Sequence, residues 1–333
     1  MSAPAVQPIS KVNRPTLKGH LAIARMDHWV KNVFVLPGIL IPLVVDPAHW
    51  PPHLALRIIL GFASVCLITS SNYVINEVLD APSDRFHPLK SLRPVPSGMV
   101  SIPLAYVQWL ALMVAGLALA SAISVPFLLT MATLWGMGCA YNISPLRTKD
   151  IPYLDVLSES VNNPLRMLAG WFITGTPLIP PASLLFSYWM IGCYFMALKR
   201  YAEYRDLDNT KVAALYRKSF KFYTEERLLA SVLFYSSAAM LFFGAFIMRY
   251  RLELLLAIPL IALVMAFYLD LSFKPNSAVQ RPEGLYRERG LVGSVVACAA
   301  LILFLFMVDI PWVRSVFAPT IPTESVVTNL RSR

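Results

Sequence analysis

The sequence predicts an all-α integral membrane protein, a bundle of about nine transmembrane helices. Apolar residues make up 57% of the 333 residues, only 14% are charged, and the mean hydropathy is +0.59. A run of about 18 or more apolar residues can cross a hydrocarbon core as a helix, because a helix satisfies its own backbone hydrogen bonds. This chain contains many such runs.

The predicted spans follow one another along most of the chain. They are expected near residues 33–47, 55–77, 103–121, 123–141, 153–175, 184–204, 228–248, 252–271 and 291–309. The first run is short and contains Pro37 and Gly38, so it could instead be kinked or re-entrant, which would leave eight full spans. No small-residue cleavage site follows a short apolar core, so we expect no cleavable signal peptide.

The placement of Lys and Arg predicts the orientation. Basic residues concentrate in loops on the side of the N-terminus, most of all in 199–227, whereas Arg249 and Arg251 are isolated between spans on the other side. Basic loops stay in the cytoplasm. We therefore expect a cytoplasmic N-terminus, an active-site cavity at the cytoplasmic side and, as the location, a bacterial inner (plasma) membrane. The net charge of +10 then reflects contact with membrane lipids and not with nucleic acid.

One transmembrane domain, 21–312, is expected between two tails. Residues 1–20 are polar and Pro-rich, which predicts a disordered N-terminal tail, and residues 313–333 predict a short C-terminal tail. The four cysteines are scattered through apolar runs without the paired spacing of metal ligands, so we expect no disulfide and no zinc: Cys66, Cys139, Cys193 and Cys298.

The densest group of ionisable residues at membrane depth begins at the end of the second span. In a helix, Asn76, Asp80 and Asp84 share one face, although Pro82 could distort the last turn. Such oxygen ligands suit a hard cation like Mg²⁺, which commonly bridges to diphosphate. Three basic residues that follow could hold phosphate oxygens: Arg85, Lys90 and Arg93. The alternative is a solvated loop of mixed charge.

This segment resembles the first aspartate-rich motif of the UbiA prenyltransferase superfamily, Asn-Asp-x-x-Asp-x-x-x-Asp-Arg, which is followed by Arg-Pro-x-x-Ser-Gly. The chain has Arg93-Pro94-Val95-Pro96-Ser97-Gly98 in the second position. Glu77 stands where the family usually has Asp, so its carboxylate is a further candidate metal ligand on a longer arm. The resemblance implies a UbiA-like bundle with Mg²⁺ as cofactor.

Within this superfamily the nearer resemblance is to the branch typified by decaprenyl-phosphate phosphoribosyltransferase. Four elements between residues 28 and 203 carry this likeness: His28-Trp29-Val30-Lys31-Asn32, the continuation from Asp84 to Lys90, Tyr141 to Asp155 followed by Leu165 to Gly170, and Lys199-Arg200-Tyr201-Ala202-Glu203. The last third of the chain matches only in hydropathy.

The third element resembles a degenerate second aspartate motif, which implies a second metal at Asp150 and Asp155. Capping of a helix N-terminus is the alternative role for these carboxylates. Asp155 joins Asp80 and Asp84 as a predicted catalytic residue. A buried Arg166 needs an anionic partner, either a substrate phosphate or Asp155.

The remaining predicted substrate-binding residues lie at span ends and in loops: Lys31, Asn32, Lys149, Asn162, Lys199, Arg200 and Tyr201. The basic members of this set are candidate phosphate clamps. Their alternative role is to anchor the helix ends at the membrane surface.

The expected reaction is a Mg²⁺-dependent displacement of pyrophosphate from an activated carbon. The nearer resemblance implies phosphoribosyl diphosphate as the donor and a polyprenyl phosphate as the acceptor; two phosphorylated substrates would account for the many basic residues. The wider resemblance implies prenyl transfer from a polyprenyl diphosphate to an aromatic or other lipid-soluble acceptor. A non-enzymatic transporter or lipid-binding scaffold is the alternative of another class, and it would place charged or broken helices at mid-bilayer.

Overall fold

The computed structural model describes residues 14–46, 50–85, 90–207, 217–280 and 282–318, and these ranges contain helices and no β-strand. Twelve α-helices occur in them: α1 (Leu17–Ile23), α2 (Leu36–Val45), α3 (Leu54–Asp84), α4 (Ile102–Ser121), α5 (Val125–Asn142), α6 (Leu154–Ser160), α7 (Asn162–Ile173), α8 (Ala182–Arg205), α9 (Glu225–Tyr250), α10 (Ile258–Ser272), α11 (Arg289–Met307) and α12 (Pro311–Val316).

All nine predicted apolar runs coincide with helix. In the part of the chain that is described, seven helical stretches are long and apolar enough to cross a membrane: Leu17–Val45, Leu54–Asp84, Ile102–Ser121, Ala182–Arg205, Glu225–Tyr250, Leu252–Ser272 and Arg289–Met307. The other two runs correspond to α5 and to the pair α6 and α7. This pair is interrupted next to Pro164, which has no N–H to donate to the carbonyl four residues earlier.

The first span is a composite. A 3-10 helix, Met26–Val35, continues directly into α2, which has Pro37 in its first turn and Pro42 in its interior. Upstream, α1 begins at Leu17 because the Thr16 hydroxyl accepts a hydrogen bond from the N–H of Gly19 at 3.0 Å. Helix therefore extends into the predicted tail 1–20, of which residues 1–13 lie outside the described ranges. At the other end, α12 enters the predicted tail 313–333, and residues 319–333 are not described.

Two apolar clusters build the bundle. One joins α2, α3, α4, α5 and α7 around Ile68 and Phe127, and the other joins α6, α8, α9, α10 and α11 around Tyr194 and Leu198. The chain runs up and down through these helices. The segments that leave α3, α5 and α8 at their C-terminal ends therefore meet at the same end of the bundle.

Two glycines bring α2 and α7 into backbone contact. A Cβ added to Gly38 would lie 1.9 Å from the carbonyl oxygen of Met167, and one added to Gly170 would lie 2.1 Å from that of Val35. Small residues allow such close crossings in membrane bundles. The crossing places the 3-10 helix that precedes α2 beside α7, and with it Asn32 beside Arg166.

Replacing Gly170 with Ala is expected to destabilise the fold by about 2 kcal/mol, because the new methyl group must push two backbones apart. Thermal unfolding in detergent measures the effect. Gly244 on α9 is the matched control, since a Cβ there meets open space. Equal unfolding temperatures for G170A and G244A would contradict the proposed crossing.

Candidate active site

Asp80 is the centre of a polar group between α3 and α5. Asn76 Nδ2 donates to Asp80 Oδ2 at 3.3 Å and to Asn142 Oδ1 at 2.6 Å. The other carboxylate oxygen, Asp80 Oδ1, accepts from Lys149 Nζ at 2.5 Å and from Arg147 Nη2 at 3.1 Å. The Asp80 side chain is 22% exposed. A partly accessible carboxylate therefore lies against two cations and one amide, and a second amide, that of Asn142, bonds to Asn76 and Lys149.

The helix continues through Pro82 without a break, so Asp84 lies one turn beyond Asp80. Asp84 is buried and accepts from Arg93 Nη1 at 2.7 Å. Glu77 is also buried, and its Oε1 accepts from the N–H of Val95 at 3.1 Å. These two carboxylates thus hold the segment after residue 90 against α3. In this structure Glu77 contacts that backbone and not the Asp80 group.

The basic residues that follow the motif differ in exposure. Arg85 is exposed, whereas Lys90 is half-buried. Burial, together with the positive charge of Arg217, lowers the pKa of Lys90 to about 8. Residues 86–89, which belong to the motif of the family resemblance, lie outside the described ranges.

The predicted second aspartate pair is divided between two environments. Asp150 Oδ2 accepts from Arg147 Nε and from Lys218 Nζ, each at 3.0 Å. Asp155 is fully buried and bonds to other partners, described next. Arg147 bridges Asp80 and Asp150, so Asp150 belongs to the rim of the first group. Burial also lowers the pKa of Lys149, although the contact with Asp80 acts to raise it.

A second polar group surrounds Arg200, which is 1% exposed. Its guanidinium bonds to three carboxylates: Asp155 Oδ2 at 3.2 Å, Glu159 Oε2 at 2.8 Å and Glu203 Oε2 at 3.2 Å. In this structure Arg200 contacts carboxylates of α6 and α8, and its phosphate contact stays a prediction.

Hydroxyl groups complete this second group. Asp155 Oδ1 accepts from Tyr223 at 2.7 Å, and Asp155 Oδ2 accepts from Ser219 at 3.2 Å. The Tyr141 hydroxyl donates to Glu159 Oε2 at 2.8 Å. Ser219 and Tyr223 belong to the segment that precedes α9, which is therefore fixed to α6 through Asp155.

Arg166 lies in the bundle interior with an amide as its neighbour. Its Nε donates to Asn32 Oδ1 at 3.1 Å, and Asn32 Nδ2 donates to Cys66 Sγ at 3.2 Å. Among the described residues no carboxylate forms a salt bridge with Arg166. Of its two predicted partners, Asp155 bonds to Arg200 instead, and contact of Arg166 with a substrate phosphate stays a prediction.

The other predicted substrate-binding residues lie in different environments. Lys31 Nζ lies 2.9 Å from His28 Nδ1. Asn162 Nδ2 donates to the carbonyl of Glu159 at 3.0 Å, and its buried Oδ1 has no hydrogen-bond partner within the described ranges. Lys199 is half-buried. Tyr201 is buried and packs edge-on against Phe273, apart from the Asp80 group.

Sequence reasoning missed seven polar residues of the two groups, although helical spacing could have indicated some of them. Glu159 and Glu203 lie four and three residues after Asp155 and Arg200, on the same helix faces. The full set that was missed is Tyr141, Asn142, Arg147, Glu159, Glu203, Ser219 and Tyr223.

The oxygen-rich chemistry of the Asp80 group suits a hard cation, since its side chains offer carboxylate and amide oxygens. No three His, Cys, Asp or Glu side chains in the described ranges converge closely enough to hold a metal by themselves. Magnesium commonly takes only one or two carboxylates and completes its shell with water and substrate phosphate. The group therefore fits a cation that arrives with a diphosphate.

Comparison with known proteins agrees with these observations. The model of the UbiA prenyltransferase family matches residues 34–287. Decaprenyl-phosphate phosphoribosyltransferase of Mycolicibacterium smegmatis is 29% identical over 229 residues, which cover 67% of this chain and 68% of the relative. The protein of the same name from Mycobacterium tuberculosis is 32% identical over 211 residues, 63% of this chain and 67% of the relative.

Solved structures show the same fold. A UbiA homologue from Archaeoglobus fulgidus bound to GPP and Mg²⁺ superposes with a TM-score of 0.64 at 24% identity, over 87% of this chain and 99% of that one. The resemblance inferred from the motifs and the all-α membrane fold are both confirmed. The chain is a membrane-embedded transferase, and it belongs to the UbiA prenyltransferase family.

Proposed function

We propose that this protein transfers a phosphoribosyl group from phosphoribosyl diphosphate to a polyprenyl phosphate and releases pyrophosphate, with Mg²⁺ as cofactor. The observation that carries the proposal is the Asp80 group, where a partly exposed carboxylate and an amide face Lys149 and Arg147. Such a site can hold a metal-bound diphosphate from two sides. The phosphoribosyltransferases that the chain resembles support this choice of donor and acceptor.

The residues that would hold the metal are Asn76, Asp80 and Asp84, all on one side of α3. When bound there, Mg²⁺ would neutralise negative charge on the leaving diphosphate. The protein's own cations have a parallel role. Lys149 and Arg147, which pair with Asp80 in this structure, are in place to donate hydrogen bonds to the diphosphate oxygens as charge develops on them.

The transfer itself exchanges one bond for another at the anomeric carbon. A phosphate oxygen of the acceptor forms a bond to this carbon while the bond from carbon to the diphosphate oxygen breaks. The leaving pyrophosphate keeps the electron pair. Lys90 and Arg93 lie beside the Asp80 group and add positive charge to the region that receives it.

Arg166 is the proposed anchor of the acceptor phosphate. Burying an unpaired guanidinium is costly, so a deep Arg that forms no carboxylate salt bridge in the described ranges favours an anionic ligand. Its planar fork suits the bidentate recognition of phosphate. Lys31 and Lys199 are proposed to assist. The isoprenoid tail would then extend between helices toward the lipid.

The N-terminus and the site are proposed to face the cytoplasm of a bacterial cell, at its inner membrane. The end of the bundle that carries the Asp80 group also carries the basic loops, which include Lys90, Lys149 and Lys218. Basic loops favour the cytoplasmic side. Labelling of single cysteines introduced into these loops, in intact cells and in inverted vesicles, tests the orientation.

The second candidate is prenyl transfer from a polyprenyl diphosphate to an aromatic or other lipid-soluble acceptor. It is favoured by the similarity of the fold to UbiA homologues bound to DMAPP and GPP. Both reactions release pyrophosphate, so the donor distinguishes them.

Pyrophosphate release by the purified protein tests the proposal. With Mg²⁺ and a polyprenyl phosphate, we expect release from phosphoribosyl diphosphate and none from prenyl diphosphates. Release only from a prenyl diphosphate, with an aromatic acceptor, would support the second candidate. Release from neither donor, with any acceptor, would support a scaffold or transporter.

Donor binding is expected to weaken as the pH rises through about 8, since Lys90 loses its charge there. The KM for phosphoribosyl diphosphate should rise severalfold between pH 7 and pH 9 on this account. Lys90→Arg keeps the charge over this range and is the matched control. A KM that rises equally in K90R and in the unaltered protein would contradict the role of Lys90.

A further inference from the structure

Three carboxylates surround the guanidinium of Arg200 as ligands surround a metal ion. The cation at their centre is the Arg200 side chain. Each of the three nitrogens of the guanidinium contacts a different carboxylate, from Asp155, Glu159 and Glu203. These contacts join α6 to α8. The Arg200 side chain is 1% exposed; those of Asp155 and Glu203 are 0% and 8% exposed, and that of Glu159 is 33% exposed.

Hydroxyl groups and further cations also contact these carboxylates. Asp155 accepts from Ser219 and Tyr223, and Glu159 accepts from Tyr141. Lys199 and Arg217 are near enough to Glu203 to stabilise its negative charge. A divalent cation could take the central position among the three carboxylates only by displacing the buried guanidinium and breaking its three contacts, which is expensive at low dielectric.

The Asp80 group differs in where its cations come from. Its carboxylate is 22% exposed, and the cations that hold it come from a loop, where they can turn toward an incoming anion. Two carboxylate sites at the same end of the bundle are therefore unequal. One is held by cations of a loop, and the centre of the other is occupied by the buried guanidinium of Arg200.

We propose that Arg200 takes the place of a second divalent cation, so that the protein binds one divalent cation per chain with its diphosphate donor, at the Asp80 group. This inference rests on the proposed function. It differs from the second metal at Asp150 and Asp155 that the family resemblance implies. Arg200 acts as a positioning residue: it fixes Asp155, and through Ser219 and Tyr223 it keeps the segment before α9 in place at any metal concentration.

Counting bound Mn²⁺ tests the proposal. Equilibrium dialysis of the detergent-solubilised protein against Mn²⁺ and pyrophosphate should give one ion per chain in the unaltered protein. The Asp80→Asn variant should bind none, and the Glu159→Gln variant should still bind one. Two ions per chain, or an ion that is lost in E159Q and retained in D80N, would overturn the proposal but not the proposed function. No ion in the unaltered protein would overturn both.

Variants of Arg200 give a second readout that does not depend on activity. Arg200→Gln leaves three carboxylates without their cation, so its unfolding temperature should fall, and Mn²⁺ should restore most of the loss. Arg200→Lys keeps one positive charge. Mn²⁺ should therefore change its unfolding temperature only slightly, as in the unaltered protein. If Mn²⁺ changes the unfolding temperatures of R200Q and R200K equally, the proposal that the Arg200 guanidinium replaces a divalent cation is overturned. If R200Q does not fold, the ion count decides.

Discussion

Replacing Asp80 with Asn should lower the rate of pyrophosphate release by about a thousandfold, the loss typical when a group that stabilises developing charge is removed. The amide keeps the volume of the carboxylate but cannot hold a cation equally well. It also leaves Lys149 without its ionic partner, although Lys149 keeps its contact with Asn142 at 2.8 Å. Single-turnover measurements with labelled phosphoribosyl diphosphate determine the loss.

The matched control for this variant is Asp270→Asn. Asp270 is exposed on α10, and we expect full activity and an unchanged unfolding temperature. The D80N protein should itself remain folded, as its unfolding temperature in detergent will show. Unchanged turnover in a folded D80N protein would remove the Asp80 group from the reaction.

Replacing Arg166 with Met should raise the KM for the polyprenyl phosphate by about a hundredfold and leave the KM for the donor nearly unchanged. A charge-assisted hydrogen bond to a buried guanidinium contributes about 1.5–3 kcal/mol, and a bidentate pair exceeds a single one. Methionine fills much of the same space, so packing between α7 and its neighbours should survive. Steady-state kinetics with each substrate varied in turn separates the two constants.

Two further variants sharpen this result. Arg166→Lys keeps the charge but loses the planar fork, so its KM for the acceptor should lie between those of the unaltered protein and R166M. Arg249→Met removes an exposed arginine at the C-terminal end of α9 and should have no effect. If R166M raises the donor KM and not the acceptor KM, Arg166 binds the diphosphate and the proposed arrangement of the two substrates is wrong.

Hydropathy predicted where the helices run but not where they end. The second span was expected to stop at residue 77, yet α3 continues to Asp84. The apolar run ends near residue 77, before the helix does. The last turns of α3 place Asn76 and Asp80 against polar groups of the bundle instead of against lipid. In the same way, α1 begins inside the predicted tail, since a single Thr16 cap is enough to start a short helix.

Local spacing in the candidate site was easier to predict than partners distant in sequence. The spacing of four residues placed Asn76 and Asp80 on one face, and the structure brings them into contact. The sequence also singled out Arg200 and Asp155, but as a phosphate clamp and a metal ligand. Their mutual contact joins residues 45 positions apart and depends on how α6 packs against α8, which no local pattern reveals.

The most direct measurement is the position of a bound Mn²⁺ ion, found by anomalous X-ray scattering from crystals grown with Mn²⁺ and pyrophosphate. We expect a single strong peak within about 2.5 Å of an Asp80 carboxylate oxygen, with pyrophosphate on its open side. A peak between Asp155 and Glu159, or bound pyrophosphate with no metal beside Asp80, would contradict the account.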